Sequence, residues 1–132
     1  MLLLDTHAAI WYATDDPSLG KRSRALIDTA VRAGHLAVSA ISFWELALLL
    51  AKGRLAVSLP ADELRSMLLD TGVVEVPVSG DIALLSVSLD LHPDPADRLI
   101  VATALLNHAT LVTADERLLN CKQALKRHNA RK

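Results

Sequence analysis

The sequence predicts an α/β fold in which a parallel sheet of short strands carries helices on both faces. Three observations predict it. Short apolar runs recur along the chain, at Leu2–Leu4, Leu36–Ser39, Val73–Val76 and Thr110–Val112, and strands apolar on both faces belong to parallel sheets covered on both sides. Segments with helical spacing separate these runs, which is the alternation of an α/β domain. The chain has 132 residues, 52% of them hydrophobic, enough for one domain that buries its own core.

The elements follow in order. Leu2–Leu4 ends at Asp5 and reads as a buried strand. A helix starts from about His7, and Asp15-Asp16-Pro17 interrupts it. Leu19–Ala33 has helical spacing, with Leu26, Ile27, Ala30 and Val31 on one side, and Gly34 stops it. After the strand Leu36–Ser39, Ser42-Phe43-Trp44-Glu45 has the spacing of a capping box ahead of the helical run Leu46–Ala51, which Gly53 ends. Pro60–Asp70 is the next helix, closed by Thr71-Gly72, and Val73–Val76 is the third strand. Ser79–Asp90 is helical and His92-Pro93-Asp94-Pro95 is a loop. In it Asp94 caps, and Pro95 opens, the helix through Ala96–Leu106. Thr110–Val112 is the fourth strand, and Asp115–Leu119 starts a last helix.

Composition excludes several functions. The longest apolar run, Leu46–Ala51, is broken by Lys52, far short of the roughly 20 residues of a membrane span. No basic segment precedes Leu2–Leu4, so the start is not a signal peptide. The single cysteine, Cys121, makes neither an internal disulfide nor a cysteine metal cage, and a reducing cytoplasm is the plain expectation. No Gly-x-Gly-x-x-Gly or Walker lysine motif follows the first strand. Trp11, Tyr12, Phe43 and Trp44 are the only aromatics, too few for a platform of stacked bases, and both tryptophans read as core. The net charge of −1 hides an asymmetry. Residues 122–132 hold five of the fourteen cations and no acid, so residues 1–121 set nine cations against fifteen acids. This divides the chain into a main domain, 1–121, and a basic tail, 122–132, in which no apolar strand is visible.

Four acids fall where chemistry is placed in such folds. Asp5 ends the first strand, Glu45 and Asp97 lie in first turns of helices, and Asp115 lies just past the fourth strand. The carboxyl ends of parallel strands, facing helix N-termini, form the usual ligand crevice. Clustered carboxylates repel and raise one another's pKa values, which a cation relieves. Hard cations such as Mg²⁺ take oxygen ligands, polarise phosphates and acidify bound water. Each acid also has a local reading as a helix cap or dipole partner, so their joint placement at one sheet edge carries the weight. His7, His35, His92, His108 and His128 lack a metal-ligand spacing; His92 reads as a surface residue, with a place by the site near Asp94 as the alternative.

Four segments together resemble the PIN-domain family, and within it the VapC-like toxins of prokaryotic type II toxin–antitoxin systems. They are Met1–His7, Val38–Glu45, Asp94–Ala104 and Leu111–Asp115. The resemblance spans residues 1–119. It implies a three-layer α/β/α sandwich with a central parallel sheet of four or five short strands. It implies a Mg²⁺- or Mn²⁺-dependent endoribonuclease in which Asp5, Glu45, Asp97 and Asp115 are both the metal ligands and the catalytic acids. A metal-activated water then leaves a 5′-phosphate and a 3′-hydroxyl. Thr113 matches a hydroxyl residue beside the site, and Arg98 has an alternative reading as a structural salt bridge. The implied partners are an RNA substrate, a cognate antitoxin and a second copy in a homodimer. The basic tail is expected to meet RNA phosphates or the antitoxin. A structure-selective DNA nuclease and a non-catalytic PIN-like assembly module are the alternatives.

Overall fold

The computed structural model describes residues 1–132. Five strands form one parallel sheet: β1 (Leu2–Leu4), β2 (Leu36–Ser39), β3 (Val74–Val76), β4 (Thr110–Thr113) and β5 (Lys126–Asn129). Seven helices connect them: α1 (Thr6–Ala13), α2 (Lys21–Arg32), α3 (Ala40–Ala51), α4 (Ala61–Asp70), α5 (Gly80–Ser88), α6 (Pro95–Leu106) and α7 (Glu116–Leu119). The strand order is β3-β2-β1-β4-β5. The chain therefore steps outward from β1 to β3 on one side, then returns to build β4 and β5 on the other. The crevice between β1 and β4 is the point where a doubly wound sheet exposes a site.

The pleat divides the strand residues between two cores. Leu3, Ala37 and Leu111 point to one face, where Ile82, Ile100, Val101 and Leu118 from α5, α6 and α7 cover them. Leu4, Leu36, Val38 and Val112 point to the other, under Ala8, Ala9, Ile27 and Leu68 of α1, α2 and α4. A smaller cluster of Ile10, Leu46 and Leu64 joins α1, α3 and α4. Both sheet faces are covered, giving the expected α/β/α sandwich.

The structure corrects two expectations. Helix α3 begins at Ala40 directly after β2, with Ser39 as its N-cap accepting from the Ile41 amide at 3.2 Å. The Ser42–Glu45 spacing is therefore not a capping box, because the helix is already under way; Ser42 instead accepts a buried hydrogen bond from Thr6 at 3.1 Å. Glu45 accordingly lies in the second turn. The basic segment also contains a strand. Its residues Lys126–Asn129 pair with Thr110–Thr113 in register. An edge strand of this kind needs backbone partners and tolerates polar side chains.

The chain after β5 is docked too. The Gly20 amide donates to the Ala130 carbonyl at 2.8 Å and the Arg22 amide to that of Lys132 at 2.9 Å. Gly20 is required there by close approach: a Cβ on it would stand 2.1 Å from the carbonyl carbon of Lys132.

Candidate functional site

Asp5 leaves β1 at the switch point and caps α1, one oxygen accepting from the Ala8 amide at 2.9 Å. Its other oxygen accepts from the Thr113 hydroxyl at 2.5 Å. Thr113 in turn accepts from the Asp115 amide at 3.1 Å, so the ends of β1 and β4 are tied through one hydroxyl. Burial pushes the Asp5 carboxyl up to about 6, against the pull of Thr113, the Ala8 amide and His7 and with some help from Asp97.

Asp97 is the third residue of α6, after the cap Asp94, whose side chain accepts from its amide at 3.2 Å. It is buried, and His92 Nε2 lies 2.7 Å from its Oδ2. Burial raises its carboxyl above the usual range, the His92 bond opposes this, and Asp94, Asp115 and Glu45 add to it. His92 is thus a neighbour of the site rather than a surface residue. Arg98 explains its placement. Its guanidinium donates to the carbonyls of Ser86, Leu89, Leu91 and His92, fastening the loop between α5 and α6. These four backbone acceptors replace the salt bridge that the sequence allowed for.

Asp115 caps α7, accepting from the Arg117 amide at 2.8 Å. The Arg117 side chain grips the same carboxylate, with Nε at 3.2 Å and Nη2 at 2.9 Å, and its Nη2 lies 3.6 Å from Asp97. That guanidinium holds the Asp115 carboxyl below its ordinary value, although partial burial opposes it.

All four predicted acids line one cavity of about 330 Å³, together with Thr6, His7, Trp11, Asp94, Ala114, Arg117 and Arg131. In this arrangement no three acidic, histidine or cysteine side chains converge on a single point. The floor is acidic and the rim carries cations. Arg131, just past β5, lies 5.0 Å over the Trp11 ring, and His7 meets the same indole edge-on at 6.4 Å between centroids. Trp11 is thus part of the cavity wall rather than core alone. Of the other tail cations, Arg127 donates to the Cys121 and Gln123 carbonyls, a structural task.

Arg117, Arg131 and Trp11 are the residues that sequence reasoning missed, and His92, whose loop beside Asp94 pointed to the site, was passed over for a surface reading. Arg117 carried a local signal, two residues beyond Asp115 at the start of a helix. Trp11 and Arg131 arrive through tertiary structure.

A sequence model of the PIN domain matches residues 2–122. The chain belongs to the PIN-domain family. Ribonuclease VapC22 of Mycobacterium tuberculosis is 36% identical to this PIN domain over 119 residues, covering 89% of this chain and 88% of that relative. Among solved structures, VapBC2 from Rickettsia felis, bound to a DNA fragment from its promoter, matches with a TM-score of 0.71 at 19% identity over 97% of each chain. FitAcB from Neisseria gonorrhoeae matches with a TM-score of 0.67 at 22% identity over 98% of each chain. These two share the PIN fold with the present chain.

Proposed function

We propose that this PIN domain is a divalent-metal-dependent endoribonuclease and the toxin of a type II toxin–antitoxin pair. The observation that carries the reading is the gathering of Asp5, Glu45, Asp97 and Asp115 around one cavity at the switch point of the sheet. The ribonuclease relative supports the substrate class.

The donor set suits Mg²⁺ or Mn²⁺, since every candidate ligand is a carboxylate oxygen. Arg117 supplies a further sign of fit: a cationic group already sits between Asp97 and Asp115. Asp5, Glu45 and Asp97 would hold the principal ion, and Asp115 completes the set. When bound, such an ion polarises a phosphate oxygen and lowers the pKa of a coordinated water. The chain's own residues do the rest. Thr113 and the Ala8 amide fix both oxygens of Asp5, so it reaches the cavity in one orientation. His92 does the same for Asp97. Arg117 and Arg131 at the rim are placed to receive phosphate oxygens, which draws the polyanion over an acidic floor. Attack by water forms a new P–O bond and breaks the P–O3′ bond, leaving 5′-phosphate and 3′-hydroxyl ends.

The partners belong to the same proposal. A toxin–antitoxin complex from Klebsiella pneumoniae contains a chain of similar fold, which supports a cognate antitoxin for this chain. Leu84 and Val87 stand exposed together on α5 and offer an apolar face to a second copy in a homodimer. No helix is long and apolar enough to cross a membrane, and the proposed place of action is the cytoplasm. The test is cleavage of single-stranded RNA with Mg²⁺, Mn²⁺ or EDTA, by wild type and Asp5→Asn. Metal-dependent cleavage lost in Asp5→Asn, with 5′-phosphate products, is expected. Equal cleavage by both proteins, or 2′,3′-cyclic phosphate ends, would overturn the reading.

A further inference from the structure

The catalytic cavity does not end at Glu45. A second hollow of about 220 Å³ adjoins it between α3 and the start of α6, and Glu45 and Asp94 line both. Its remaining wall includes Trp44, Leu48, Lys52 and Arg54. Trp44 is 51% exposed, which corrects its reading as a core residue. Residues four apart share one helix face, so Trp44, Leu48 and Lys52 form a continuous stripe leading away from the acids. Lys52 and Arg54 are exposed and contact no carboxylate, whereas Arg24, Arg65 and Arg117 are all paired. The turn that carries them is fixed, with the Gly53 amide donating to Leu50 at 3.1 Å and the Arg54 amide to Leu49 at 2.9 Å.

Cations at a helix C-terminus are favourable for the dipole alone. That does not account for a large indole left half in water on the same face, one residue before a site acid. We infer that this hollow is a nucleotide subsite: the base next to the scissile phosphate stacks on Trp44, and Lys52 and Arg54 take the following phosphates. The inference rests on the RNA reading above and extends it. It also adds two cations, Lys52 and Arg54, on the path by which the strand leaves the acids, beyond Arg117 and Arg131 at the rim.

Binding of a 5′-labelled, random-sequence single-stranded RNA, followed by anisotropy in the cleavage-blocked Asp5→Asn protein, tests it. Trp44→Ala should weaken binding about fivefold or more, as removal of one stacked base does, while Trp44→Phe retains most of the affinity. Lys52→Ala with Arg54→Ala should flatten the dependence of log K on log salt by roughly 0.7 for each phosphate that no longer meets a cation. Melting temperatures close to that of the parent would show that each variant is folded. If the parent binds RNA and these changes leave affinity and salt slope intact, the subsite is wrong and the RNA reading stands. If wild type cleaves no RNA and the parent binds none, both fail. Loss of self-association in Trp44→Ala with unaltered RNA affinity assigns the face to a second copy and also overturns the proposal.

Discussion

Asp5 reads two ways in sequence, as a helix cap and as a site acid, and the structure puts it where the two positions coincide. It caps α1 and it faces the cavity, since the N-terminus of a helix that follows a strand is itself the crevice. Its folded carboxyl titrates near 6 rather than 3.8 because burial penalises the anion. A raised folded value means that the stabilisation is complete below about 4 and is lost as pH rises through 6. At neutral pH the metal-free protein therefore carries an ionised, buried Asp5 at a cost of roughly 1–3 kcal/mol. Asp5→Asn should raise the melting temperature in EDTA at pH 7–8 while abolishing cleavage, and the gain should fade as pH falls below 6. A gain that grows toward acid would contradict this account of Asp5. Arg117 makes a companion case. Its guanidinium occupies the gap between Asp115 and Asp97, so an incoming cation must displace it. The side chain is 59% exposed, which keeps the pair at the weak end of such interactions. Arg117→Gln should accordingly tighten Mn²⁺ binding only modestly, by about fivefold at most, measured by calorimetry. Weaker binding would instead make Arg117 part of what organises the site.

At the scale of elements, legibility followed burial. β1 and β2 were readable to the residue because both their faces are covered, leaving runs such as Leu2-Leu3-Leu4 with no polar alternative. β5 was not, because Lys126-Arg127-His128-Asn129 is held by backbone pairing to β4, and pairing leaves no mark in the side chains of an edge strand. Two serines three residues apart likewise made the start of α3 ambiguous: Ser39 caps the helix and Ser42 bonds to Thr6. Asp5, Asp97 and Asp115 were legible because each sits beside a strand end or helix start, whereas Glu45 was picked out by a capping-box spacing that α3 does not use. The loop carried by Arg98 and the rim carried by β5 were not, because they depend on where distant segments land. Gly20 is where the landing of β5 can be tested. Gly20→Ala would drive a Cβ into the Lys132 backbone, and such overpacking costs about 1–3 kcal/mol. The expected result is a lower urea midpoint together with altered tryptophan fluorescence, as Arg131 leaves the face of Trp11. An unchanged midpoint would mean that the segment after β5 does not dock on α2.

For the whole molecule, the site gathers elements from both halves of the sheet. Asp5 follows the central strand, Asp115 follows β4, Glu45 comes from the helix after β2, and Asp97 comes from the helix that returns the chain across the sheet. These acids share a cavity but do not converge on one point, and residues 1–121 already carry fifteen acids against nine cations. A cation bound among them would relieve local repulsion and link four elements that the unfolded chain holds far apart, so its binding energy would appear as folding energy. A ligand at a hundred times its dissociation constant stabilises by about 2.7 kcal/mol, which for a domain of this size raises the melting temperature by roughly 10 °C. Saturating Mn²⁺ should produce such a rise in wild type, and Asp5→Asn, with its higher metal-free melting temperature, should show little further gain. The two proteins would then converge as metal is added, one stabilised by losing the buried charge and the other by neutralising it. Equal metal-induced shifts in both would place the ion away from Asp5 and away from the switch point of the sheet.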